Sequence, residues 1–273
     1  MLHDVARRLK RTPSAGVAAE LLESCLGHPR ELPRVAAAAS YFQVSDEPRR
    51  LLEILEEGTR SDDPLVRQLA ATGLARVAPE SRRLQELTRS REPRGGDSPS
   101  RTALLVHGTF ARDVTWWQPG GEFHTYLRDN VRPDLYGATD RFEWSGGYSD
   151  AARAVGAADL HDWIAGHALA GLDVFTHSHG GSVAMTATHL GARLGKLVLL
   201  SCPVHASKYL PEFAQVREVI SIRVHLDLII LLDGGGQRFR HPRIREHVLP
   251  IWFDHSATHD PDVWRAHDVK RFV

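Results

Sequence analysis

One serine lies between two histidines and ahead of two glycines, in the run Thr176-His177-Ser178-His179-Gly180-Gly181. The apolar Leu172-Asp-Val-Phe-Thr-His177 before it reads as a strand, and Gly180 and Gly181 open a segment of helical character. Ser178 therefore occupies the apex of a strand, sharp turn and helix start. Such a turn holds a serine hydroxyl exposed above a sheet, and small residues after it let strand and helix approach each other. A hydroxyl is a weak nucleophile until a neighbouring base takes its proton, and the chemistry it then performs is attack on a carbonyl carbon. In the usual Gly-x-Ser-x-Gly pattern the first glycine is here Thr176. The bland alternative is a serine that caps a helix.

Acyl transfer needs three further parts, and the chain carries a candidate for each in a consistent order. Thr102-Ala-Leu-Leu-Val-His107-Gly108-Thr109-Phe110 is an apolar run too short for a helix, ended by His-Gly, as in a buried parallel strand with its following turn. Backbone N–H groups of Thr109 and His179 are the candidate oxyanion donors, because two preorganised donors in a dry site stabilise charge developing on a carbonyl oxygen. Downstream, Lys196–Ser201 and Glu218–Val224 read as the next two buried strands, and Asp227 follows the second within a few residues. An aspartate there can orient an imidazole and stabilise its cation. Asp233, before Gly234-Gly235-Gly236, is the rival and suits a turn. The last strand is expected over His247–Phe253. It delivers a loop carrying both His255 and His259, either of which could lean toward Ser178 as the base. His255 leaves directly from the strand end, whereas His259 abuts the Asp260-Pro261 helix start.

The order Ser178, Asp227, His255 on alternating strands and helices resembles the α/β-hydrolase fold, a mostly parallel sheet flanked by helices. His-Ser-His-Gly-Gly at the turn and Val-His-Gly upstream resemble bacterial triacylglycerol lipases and small esterases. So does Asp227 standing before the apolar triplet Leu228-Ile229-Ile230, and the spacing from His255 to Val263 fits these enzymes better than that from His259. The resemblance runs from about Arg101 to the C-terminus. It implies a serine hydrolase of carboxylic esters working through a Ser178–His255–Asp227 triad and a covalent acyl-enzyme, with amide or thioester bonds as variants. A small-molecule or lipid ester would be the substrate.

Composition narrows the setting. Lys plus Arg and Asp plus Glu both number 34, so no net field recruits nucleic acid or an anionic membrane. The hydrophobic fraction of 42% is ample for buried cores. Cys25 and Cys202 stand far apart and imply no disulfide framework. Met1–Arg8 lacks an apolar signal core and no apolar run could cross a bilayer, so a cytoplasmic location without a transmembrane segment is expected. The chain has 16 histidines, including His177-x-His179 and His255-x3-His259, but no His-Glu-x-x-His helix and no cysteine cluster. No metal and no cofactor are expected. Gly234–Gln237 lacks the Lys-Ser/Thr of a phosphate cradle and reads as a turn.

The N-terminal third has another texture, rich in Ala, Leu, Arg and Glu at helical spacing. Asp63–Val77 echoes His28–Tyr41, and Glu47–Leu52 echoes Glu80–Gln85, at about the period of a helical hairpin. Residues 1–92 are thus expected to form a small all-α domain resembling a short HEAT-like array, with 93–100 as linker and 101–273 as the α/β domain. Such an array either offers a protein partner a surface or simply packs as a bundle. The first possibility carries a second functional hypothesis, an interaction or signalling protein whose hydrolase part is active only when a partner engages the helices. Beside the oxyanion turn, His107, Phe110, Trp116 and Trp117 could line a substrate pocket, although aromatic pairs more often close a core. A strand is expected over Asp140–Trp144, Arg153 serves as scaffold, and the short 203–213 segment leaves no room for a large lid.

Overall fold

The computed structural model describes residues 2–42, 45, 47–88, 103–137, 141–169 and 171–273. The expected linker at 93–100, together with Thr102 and Asp140, lies outside them. The chain divides into two compact units, Met1–Leu87 and Thr88–Val273.

The first unit is helical: α1 (Leu2–Arg11), α2 (Ala15–Leu26), α3 (Glu31–Tyr41), α4 (Pro48–Gly58), α5 (Pro64–Val77) and α6 (Arg82–Thr88). Start signals in the sequence act as written. Ser14 caps α2 by accepting from Val17 N, and Asp63 caps α5 by accepting from Leu65 N at 2.8 Å with Pro64 at the first helical position. Each helix from α1 to α4 packs on its successor, and α3 also packs on α5. The echoed segments fall on α3 and α5 and on α4 and α6. Leu51, Leu55, Val66, Leu69, Ala70 and Leu74 fill this core.

The second unit is α/β. Its five strands are β1 (Ala103–Val106), β2 (Leu172–His177), β3 (Leu194–Leu200), β4 (Val216–Arg223) and β5 (Ile244–Val248). All neighbouring pairs are parallel, and the spatial order follows the chain order. Short runs of branched and apolar residues form these strands because both faces are covered, the condition under which parallel strands lose their polar alternation. Alternate residues face opposite ways. Leu104, Val106, Val174, Leu197 and Leu199 join a core with residues of α8 (Asp150–Gly166) and α9 (Gly180–His189). Ala103, Leu105, Phe175, Val198 and Leu200 face the other way, toward α7 (Glu122–Asn130) and Trp264 of α11 (Pro261–Ala266). A short α10 (Leu228–Asp233) follows β4. Parallel strands put all their C-terminal ends on one edge of the sheet, where open α/β sheets place their sites. The turns after β1, β2 and β4 all emerge there.

Two expected strands differ. Arg141–Trp144 makes no strand, and its apolar members are held instead by packing: Phe142 and Trp144 are buried, and the Trp144 indole donates to His107 O at 2.9 Å. The last strand ends at Val248 rather than at Phe253, because Pro250 has no N–H to donate to a ladder. The chain beyond it still runs beside the segment after β4, with His225 N donating to Ile251 O and a single bridge between Asp227 and Phe253. Both cysteines are free thiols. Burial pushes Cys202 up to about 12. Among the described residues no helix is long and apolar enough to cross a membrane.

Leu199, next to the C-terminal end of the central strand β3, has no exposed surface. Leu199→Ala should destabilise the α/β unit by about 2–5 kcal/mol, read as a lowered denaturant midpoint in near-ultraviolet circular dichroism.

Candidate active site

Ser178 adopts a left-handed backbone with φ +52° between the end of β2 and the start of α9. A non-glycine residue there carries strain of order 1–3 kcal/mol, tolerated only when the surroundings over-determine it. Backbone contacts do so. Ser178 N donates to Leu200 O at 2.9 Å, and Gly181 N donates back to Ser178 O at 3.0 Å. On one side a Cβ at Gly180 would sit 2.5 Å from His107 O. On the other, a Cβ at Gly108 would sit 2.8 Å from Ser178 Cβ and 2.9 Å from His177 O. Hydrogen alone fits at both positions, so α9 and the turn after β1 close directly on the serine. Thr176, in place of the usual first glycine, is accommodated by a hydrogen bond from its hydroxyl to Val198 O at 3.1 Å.

The same turn supplies donors. Phe110 N is committed to Gly146 O at 3.0 Å, whereas among the described residues the N–H groups of Thr109 and His179 meet no acceptor. His179 is the N-cap residue of α9, so its amide belongs to the helix terminus that favours negative charge.

Asp227 and His255 meet. Nδ1–H of His255 donates to Asp227 Oδ2 at 2.6 Å, with both side chains fully buried. The other carboxylate oxygen caps α10, accepting from Ile229 N and Ile230 N at 3.0 and 3.2 Å. Gln237 grips the acid's backbone from both sides, its amide donating to Asp227 O and its carbonyl accepting from Asp227 N. With its proton on Nδ1, His255 presents a lone pair at Nε2. That nitrogen is buried and makes no hydrogen bond, so the link to Ser178 Oγ is not closed.

His255 begins a short 3₁₀ turn, His255–His259, capped by Asp254. His177, beside the serine, donates from Nε2 to His255 O at 3.2 Å and stacks edgewise on its ring at 4.6 Å. Burial holds His177 well below the usual imidazole range, so it remains a neutral donor. Thr258 bonds Ser201 Oγ, and the Trp264 indole donates to Thr258 O, anchoring the far end of the turn. His259 also meets the His177 ring edge-on, at 4.4 Å, but in other company. It lies flat on Trp116 with ring centroids 4.0 Å apart, has no carboxylate partner among the described residues, and is pushed by burial to about 3.

Asp233 does not contact His255. It ends α10 ahead of the left-handed Gly234 and accepts from His179, His205 and Tyr148. Of the four residues expected in a pocket, two are core. Trp117 is buried with its indole on Ala111 O, and His107 is sandwiched between Trp117 and Trp144, lowered by burial to about 4. Phe110 and Trp116 are partly exposed, Phe110 lying flat against Tyr148. Arg153 is scaffold, tied to Tyr148 O, Tyr209 and Asp150. Sequence reasoning passed over Gln237, the roles of His177 and Asp233, and the part played by His205; only proximity in the fold reveals them.

No protein-family model and no curated protein matches the chain. Among solved structures, an uncharacterized protein from Bacillus cereus ATCC 10987 is similar over 99% of this chain and 97% of its own, at 14% identity and a TM-score of 0.37. AbyA5 wild type covers 90% of this chain and 87% of its own, at 14% identity and a TM-score of 0.32. Likeness this slight bears on neither fold family nor chemistry.

Ser178→Gly removes the left-handed strain while adding some unfolded-state entropy. The variant should be more stable than wild type by about 1 kcal/mol, measured as a raised denaturant midpoint.

Proposed function

We propose that the α/β unit is a serine hydrolase of carboxylic esters, related in arrangement to the α/β-hydrolases. The observation that carries this reading is the Asp227–His255 pair, which leaves a buried imidazole lone pair in the loop pinned by His177, next to a serine on a strained turn. The order along the chain, of oxyanion turn after β1, serine after β2, acid after β4 and base after β5, supports the same reading.

In the reaction, Ser178 Oγ attacks the ester carbonyl carbon as its proton passes to His255 Nε2. The carbonyl oxygen becomes an oxyanion held by the N–H groups of Thr109 and His179. Asp227 fixes the imidazole tautomer and stabilises the imidazolium. The proton then goes from Nε2 to the departing alkoxide, leaving Ser178 acylated. Water attacks the acyl-enzyme with His255 as base again, releasing the acid and restoring the serine. Phe110 and Trp116, the partly exposed aromatics, are assigned to the apolar part of the ester. Amide and thioester bonds use the same machinery.

A second reading, activity gated by a protein partner on a HEAT-like helical unit, is favoured by one observation: the unclosed link between His255 Nε2 and Ser178. It differs in expecting the full chain alone to be inactive.

Hydrolysis of p-nitrophenyl butyrate by the full chain tests both. Turnover by wild type, abolished in Ser178→Ala, lowered roughly 10⁴-fold in Asp227→Asn through loss of the tautomer-fixing charge, and retained in His259→Gln, is the expected pattern. Loss in His259→Gln with retention in Asp227→Asn would assign the base to His259.

A further inference from the structure

Behind the serine a second cluster converges on Asp233. His179 Nε2 lies 3.0 Å from Asp233 Oδ1, and His205 Nε2 lies 2.5 Å from Oδ2. The two imidazoles are parallel within 8° and 5.9 Å apart. Three chain segments far apart in sequence supply them: the start of α9, the loop after β3 and the end of α10. We propose that His179, His205 and Asp233 form a binding site for a zinc-class divalent cation.

The donor set fits. Two imidazole nitrogens and a carboxylate oxygen are the ligands zinc takes at about 2.0–2.2 Å, and three protein ligands leave a fourth position for water or an exogenous group. All three ligand atoms lie within 4.8 Å of one another. Tetrahedral ligands at those bond lengths stand about 3.3 Å apart, so the two His–Asp spacings of 3.0 and 2.5 Å must open by less than 1 Å, while any pair near the 4.8 Å bound must close. His205, on a loop and with its side chain 23% exposed, is placed to yield. Outer partners are already present. His179 Nδ1 is 3.1 Å from Ser182 Oγ, the second hydrogen bond by which metal-bound imidazoles are usually oriented, and Tyr148 OH donates to Asp233 at 2.8 Å.

Charge points the same way. The Asp233 side chain is 5% exposed and meets His179, His205 and the Tyr148 hydroxyl at its two oxygens. A buried carboxylate flanked by two imidazoles is a setting that a divalent cation would compensate. The cluster contains one member of the His177-x-His179 pair and neither His255 nor His259. The site stands whether or not Ser178 acts as a nucleophile.

The test uses the full chain, stripped with a chelator and titrated with ZnCl₂ by calorimetry and with CoCl₂ by visible absorption. Wild type should take up one equivalent and give the intense cobalt bands of a tetrahedral site. His205→Ala should weaken zinc binding by about 100-fold or more and lose the bands, with the circular dichroism spectrum unchanged. His205→Cys, which restores a zinc ligand, should recover binding. Absence of uptake by wild type, or equal affinity and stoichiometry in wild type and His205→Ala, overturns the proposal. The second result would put the metal on other histidines.

Discussion

The left-handed backbone at Ser178 is the constraint on which the α/β unit turns. It persists because two stretches of main chain close on the serine where no side chain could stand: the turn after β1 at Gly108 and the first turn of α9 at Gly180. That packing fixes more than one dihedral angle. It also seats His177, which grips the loop of His255. Relaxing the serine would loosen the turn after β1 and the loop of His255 together.

Around this point the protein keeps imidazoles neutral by burial and uses them as rigid hydrogen-bonding or stacking groups. His107, His177 and His259 are all pushed down by desolvation. Their rings fill the space between the sheet and the tryptophans at 116, 117 and 144. His255 alone among these four faces a carboxylate, and the carboxylate is held by the first amides of α10 while Gln237 grips the backbone of the same aspartate. One histidine is thereby distinguished from its neighbours by partner and not by residue type.

Much of this arrangement could be read from sequence because strand ends carry their own signals. The apolar runs ending at Val106, His177, Leu200 and Arg223 are strands to within a few residues, and Asp63-Pro64 and Asp260-Pro261 start helices. Asp227 was legible from its place after β4. What could not be read was which contacts form across long separations. Phe142 and Trp144 have strand-like spacing, yet they are buried as loop residues. Pro250 cuts the last strand short of Phe253. His205, at 28 residues from Asp233, carries no local pattern that announces the pairing, and neither does Gln237, which reads as the tail of a glycine turn. Trp117 and His107 have the composition of a pocket and the burial of a core.

The central claim is that Ser178 is a nucleophile activated by His255 and Asp227. The most direct measurement is treatment of the full chain with a fluorophosphonate, followed by digestion and mass spectrometry of the peptide containing Ser178. The account predicts a stoichiometric phosphonyl adduct on Ser178 that forms in the native protein and is lost on unfolding before treatment. A native, folded chain whose Ser178 peptide stays unmodified would contradict it.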